Sequence, residues 1–225
     1  MDWNNLLKPA KKVPNTTWSS LDPMSLKPKI STLAILITGL WIFGTGDAII
    51  VAAGLGVAPW TVLAQGIAEQ INWTLGQTTF LVSVIVLLLW IPIKERPGLG
   101  TILNAILIAL AIDVMLPYLP TPDIYILKVT QVFIGTIFVG IGSGLYLTAN
   151  LGSGPRDGWM TGIQRISNIS IAKVRASIEI LVLLLGYYLG GTVGLGTVIF
   201  AFFIGHIVAI CLQLTEKIDN FFIIK

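Results

Sequence analysis

Charged residues are scarce in this chain: Asp, Glu, Lys and Arg make up only 11% of its 225 positions. Soluble domains carry about 25%, because they need a solvated skin, so a soluble globular fold is excluded. Cysteine and histidine are scarcer still. Cys211 is the one thiol and lies within an apolar run, which rules out an internal disulfide and leaves the redox compartment unread. With His206 as the one imidazole, the ligand set for a zinc centre is missing. Catalytic signatures are lacking too. There is no Gly-x-Ser-x-Gly elbow, no phosphate-binding glycine loop with a lysine, and no His-Glu-x-x-His. No enzyme activity, metal or cofactor is therefore expected. The net charge of +3 is too small to read as nucleic-acid binding. The first thirty residues lack the apolar core of a signal peptide, so no cleaved leader is expected.

What the chain has instead is long apolar runs. Hydrophobic residues reach 55% and the mean hydropathy is +0.86. About 20 apolar residues at 1.5 Å per residue cross a hydrocarbon core of roughly 30 Å. Runs of that kind cover Leu33–Ala53, Gln77–Ile93, Leu99–Leu116, Val129–Ala149, Val174–Leu189 and Gly196–Leu214. The expected fold is an all-α transmembrane bundle of six helices. With the N-terminus inside, Lys8, Lys11, Lys12, Lys27, Lys29, Lys94, Arg96, the basic residues between Arg156 and Arg175, Lys217 and Lys225 all fall on the cytosolic side. Only Lys128 falls outside, as the positive-inside rule asks. The chain then divides into a cytosolic tail (1–30), two membrane halves (31–122 and 123–216) and a second cytosolic tail (217–225), placed in a bacterial inner membrane. In the first tail, Trp3 and Trp18 either touch the interface or belong to a disordered segment. A count of eight crossings would need Pro59–Asn72 and its counterpart to span. Gln65, Glu69 and Gln70, or Arg156, Asp157, Gln164 and Arg165, argue against that.

Residues 39–117 and 135–213 are one segment written twice, 96 positions apart and without a gap. Identities fall at 21 of 79 positions, well above a chance alignment of this composition. Gly39 matches Gly135, Leu55-Gly56-x-x-Pro59 matches Leu151-Gly152-x-x-Pro155, and Gly98-Leu99-Gly100-Thr101 matches Gly194-Leu195-Gly196-Thr197. Three crossings per copy force the second copy into the membrane upside down, an arrangement typical of transporters.

Each copy breaks after its first span. Gly56 and Pro59 mark the first break, and Gly152, Gly154 and Pro155 the second. Glycine frees the backbone, and proline fits the first turn of a new helix. A short amphipathic helix should follow, with Trp60, Leu63, Ile67 and Ile71, or Trp159, Ile163 and Ile166, on one face. Such helices either aim positive N-termini at a cavity or merely lie at the lipid interface.

Ionisable residues inside apolar spans are expensive, which makes each a functional candidate. Arg175 and Glu179 stand one helical turn apart, close enough to pair. Arg156 and Asp157 open the second short helix. With Asn104 and Asp47 these form the expected solute-binding set. Asp113 and His206 are weaker candidates for ion or proton coupling. Asp113 reads equally as a helix-end residue, and His206 as a hydrogen-bonded core residue. The spacings Gly140-x-x-x-Gly144 and Gly186-x-x-x-Gly190 read as close helix packing.

At Leu55-Gly56-Val57-Ala58-Pro59-Trp60, Gly154-Pro155-Arg156-Asp157-Gly158-Trp159-Met160-Thr161-Gly162, Arg96–Thr101 and Gly191–Thr197, the chain resembles the YczE/YyaS-like bacterial membrane proteins, relatives of the YitT group. The resemblance runs from residue 33 to 214 and implies a multi-pass membrane protein. It implies no particular substrate. Members usually carry Asp after Pro-Trp and His three positions later, where this chain has Thr61 and Ala64; Pro155-Arg156-Asp157-Gly158 is intact. The leading expectation is a small-solute transporter embedded in the lipid bilayer, with room for a homo-oligomer. The alternatives are a membrane scaffold or regulatory protein and a lipid handler, which would need a polar groove opening sideways.

Overall fold

A computed structural model describes residues 12–223. Trp3, Lys8, Pro9, Lys11 and Lys225 lie outside the described residues. Among the described residues the regular structure is helical, with no strand. The order is α1 Ile30–Ala53, α2 Pro59–Ile71, α3 Leu75–Leu88, α4 Trp90–Ile93, α5 Leu99–Met115, α6 Tyr125–Thr148, α7 Pro155–Ser167, α8 Ile171–Tyr188 and α9 Leu195–Ile223. Five stretches are long and apolar enough to cross a membrane: α1, α3 with α4, α5 with its 3-10 extension, α6 and α9. The fifth expected span corresponds to α8. Its 18 residues include Lys173, Arg175 and Glu179, and it is not among the five.

Local chemistry explains the boundaries. Pro59 and Pro155 open α2 and α7, where a missing N–H costs nothing. The Thr74 hydroxyl accepts from Gln77 N at 3.1 Å, while Thr74 N donates to Gln77 Oε1 at 3.0 Å. This capping box starts α3 ahead of its apolar run. Pro92 gives Leu88 no N–H, and the helix breaks at Leu89 before the short α4.

Residues 217–223 continue α9 as its last turns. Residues 16–23 are an ordered strap across the helix ends. Thr17 N donates to Asp219 Oδ2 at 3.0 Å, Trp18 Nε1 to Thr148 Oγ1 at 3.2 Å, and Asn150 Nδ2 to Ser20 O at 2.8 Å. Trp18 therefore packs on the end of α6. Charge and proline content gave this segment the look of a tail, and only its long-range hydrogen bonds order it.

Glycines set the helix crossings. A Cβ on Gly39 would lie 3.0 Å from Gly142 O, and one on Gly46 would lie 2.7 Å from Gly135 O. α1 and α6 therefore cross antiparallel and in backbone contact, as small residues allow. Gly140 and Gly144 meet Ile207 and Cys211 of α9, and Gly44 meets Ile108 and Ala111 of α5, so these pairs run parallel. Gly186 meets Leu63 of α2, but Gly190 is a turn residue at φ 104° with no close neighbour.

The two breaks dock reciprocally. Gly196 N donates to Leu55 O, and Gly100 N donates to Leu151 O, both at 2.7 Å. Gly56 and Gly152 sit at φ 96° and 107°, a region that favours glycine. Side chains there would strike Gly194 and Gly98 respectively. Two of the apolar clusters that result flank the site. One joins α1, α5 and α6 through Leu36, Leu40, Ile108, Ile112 and Tyr146. The other joins α2, α3, α4, α7 and α8 through Trp60, Val86, Trp90, Met160 and Ile178. The space between them holds the site.

Candidate functional site, a charged cavity shared by the two copies

A cavity of about 170 Å³ is bounded by Ile108 and Tyr146 from the first cluster and Trp60 and Met160 from the second. The N-terminal residues of both short helices reach it: Ala58, Pro59 and Trp60 from α2, and Gly154, Pro155 and Arg156 from α7. Neither helix has a side-chain cap, so the first N–H groups of each are left without an intrahelical partner. The apolar faces expected for these helices pack inward, with Leu63, Ile67, Trp159 and Ile163 against the second cluster. Only the far ends, Ile71 and Ile166, are exposed.

Every lining residue from the first copy has its equivalent in the lining from the second. Phe43 with Val139, Asp47 with Ser143, Ala58 with Gly154, Pro59 with Pro155, Trp60 with Arg156, Asn104 with Phe200, and Ile108 with Ile204 are each 96 positions apart. The second copy adds lining residues without a counterpart, among them Tyr146, Asp157, Arg175 and Glu179, and no pair is charged on both sides.

All six residues of the expected solute-binding set, Asp47, Asn104, Arg156, Asp157, Arg175 and Glu179, line this one cavity. Tyr146 Oη donates to Asp157 Oδ2 at 3.0 Å. Arg175 Nε donates to Glu179 Oε1 at 2.8 Å, and the two side chains are 55% and 30% exposed, which places the pair at the rim. The Arg156 guanidinium stands 5.3 Å from the centroid of the Trp60 ring, a cation–π contact. The Asn104 amide lies beside Gly154. Asp47 is only 3% exposed, and its Oδ2 has no hydrogen-bond partner among the described residues. A buried carboxylate oxygen without a partner is costly.

The frame behind these groups is rigid. Trp90 Nε1 donates to Pro155 O at 2.9 Å, and Thr101 Oγ1 donates to Ser153 O at 2.7 Å, which fixes the start of α7. Arg165 ties its far end to Glu95 at 2.9 Å. The cavity takes Arg175 and Glu179 from α8 and Phe200, Ile204 and Val208 from α9. Those two helices do not pack along each other.

The weaker candidates lie elsewhere. Asp113 accepts from Gly76 N at 2.7 Å and from the Thr74 hydroxyl at 2.5 Å, holding the start of α3 against α5. His206 is exposed on α9, beside the Phe202 ring. Among the described residues there is no cluster of His, Cys, Asp or Glu that could hold a metal. Tyr146 lines the cavity without belonging to the expected set. A tyrosine deep in an apolar span needs a partner for its hydroxyl, and that signal was available.

A model of the family of unknown function DUF6198 matches residues 30–213. The chain belongs to this family. The YczE/YyaS-like resemblance holds in the comparisons with individual proteins. An uncharacterized protein of Haemophilus influenzae is 45% identical over 213 residues, covering 95% of this chain and 97% of that protein. The uncharacterized membrane protein YczE of Bacillus subtilis is 27% identical, covering 80% of this chain and 89% of its own length. The uncharacterized protein YyaS of Bacillus subtilis is also 27% identical, covering 80% and 91%. No solved structure matches. Five long apolar helices and a membrane-protein relative make this DUF6198 chain a multi-pass membrane protein.

Proposed function

We propose that this chain transports a small polar solute across the bacterial inner membrane, by alternating access between two inverted repeats of three crossings each. One observation carries the reading: every lining residue of the first copy has its equivalent in the lining from the second, and the cavity receives the N-termini of both short helices. Equivalent helices α1 and α6 cross antiparallel, and the two breaks dock on each other's glycine turns. Both features are what a pseudo-two-fold axis in the membrane plane requires. In this reading α8 is the sixth crossing. At 18 residues it is about 27 Å long. Lys173 lies in its first turn, where it can snorkel, and Arg175 and Glu179 line the cavity.

The test is access from both sides. A cysteine placed at Ser143 in a Cys211→Ala background should react with an impermeant maleimide in inside-out and in right-side-out vesicles. Labelling from one side only would sink alternating access. For topology, a reporter fused after Thr121 should be periplasmic, and a cytosolic result would overturn six crossings.

A lipid-handling reading is favoured by one observation, the separation of α8 from α9 beside the cavity. It predicts that the purified protein equilibrates a fluorescent phospholipid between leaflets of a vesicle. The transport reading predicts no such exchange.

A further inference from the structure

We infer that the solute is a small zwitterion, held with its cationic group on Asp47 and its anionic group on Arg156. The inference rests on the proposed function only in taking the cavity as a solute site. The charged groups on its walls sort into two kinds. Asp157 has the Tyr146 hydroxyl, and Arg175 and Glu179 have each other. Asp47 and Arg156 are left over. Asp47 Oδ2 has no partner among the described residues, and Arg156 forms no ion pair among them.

These two residues have opposite charge and come from opposite copies. The counterpart of Asp47 is Ser143 and that of Arg156 is Trp60, so neither charge is duplicated across the axis. Each lies within the other's electrostatic reach, but no ion pair joins them. A simple anion on Arg156 would draw that charge away from Asp47, and a simple cation on Asp47 would draw its charge away from Arg156. A molecule carrying both groups satisfies both residues at once. The uncapped N-termini of α2 and α7 add N–H donors for the anionic end. Phe43, Ile108 and Phe200 leave an apolar wall for the rest of the molecule. Size narrows the class further. A cavity of about 150 Å³ holds benzene, so the 170 Å³ here suits roughly six to eight non-hydrogen atoms. That is the range of the smaller amino acids.

The experiment is a binding screen on the purified full chain by thermal shift, followed by titration calorimetry. The probes are L-alanine, L-serine, L-proline, 4-aminobutyrate and glycine betaine, with propionate and ethylamine as singly charged controls. At least one zwitterion should stabilise the protein while propionate and ethylamine do not. Asp47→Asn and Arg156→Gln should each weaken that binding at least tenfold, Asp47→Glu and Arg156→Lys less. The unliganded melting temperature of each variant reports whether it is folded. Stabilisation by propionate or ethylamine alone, no stabilisation by any probe, or undiminished binding in folded Asp47→Asn would overturn the inference. Uptake into proteoliposomes is read separately. A zwitterion that binds but is not carried defeats the transport reading and leaves the site intact.

Discussion

The two copies use the same positions for opposite ends. On the first short helix, α2 meets α8 backbone to backbone, and a Cβ on Gly186 would lie 2.4 Å from Leu63 N. The position equivalent to Gly186 is Trp90, whose indole packs against Gly158 and donates to Pro155 O. Two further equivalent positions differ in the same way. Thr79 and Ser83 are buried on α3, where α8 carries Arg175 and Glu179. α3 packs along α5, while α8 stands apart from α9. A nearly symmetric frame has therefore become a lopsided cavity through a few substitutions. One joint is closed backbone to backbone at glycine, and the other by an indole packed on glycine.

The sharpest way to break this comparison is to remove the indole. Trp90→Ala takes a buried indole and its bond to Pro155 O, and should cost about 3–5 kcal/mol in a denaturation experiment. Next come the paired breaks. Gly56→Ala puts a Cβ 2.4 Å from the backbone of Gly194, whereas the nearest atom to a Cβ on Gly152 is the Thr101 hydroxyl at 2.6 Å. With the left-handed backbone added, Gly56→Ala should cost about 2–4 kcal/mol and Gly152→Ala less. Equal losses would mean that the two docks are energetically alike. A smaller effect is expected from Tyr146→Phe, which removes the hydrogen bond to Asp157 and keeps the ring. About 1.5–3 kcal/mol is at stake, read as a lowered melting temperature. His206→Ala should change stability by less than about 0.5 kcal/mol, because the side chain is exposed and away from the cavity. A large loss of uptake in that variant would return His206 to the mechanism.

The starts of α2 and α7 were legible because proline and glycine act locally. The polar residues were legible as candidates because burying them in an apolar span is expensive. Their destinations were less so. Asp47 and Asp113 looked alike as carboxylates within spans, yet Asp47 enters the cavity and Asp113 holds the start of α3. The strap at 16–23 was hidden because its partners, Thr148, Asn150 and Asp219, are more than a hundred residues away.

By itself, then, the sequence determined the helices, their repeat at 96 positions and the short set of residues worth watching. These follow from hydropathy, backbone freedom and the cost of buried charge, which need no neighbour to act. Only the tertiary structure decided which of those residues meet. α1 is apolar around nearly its whole circumference, so nothing local says which way Asp47 points. Its rotation is set by the glycine crossing with α6, and that crossing turns Asp47 toward the same cavity as Arg156.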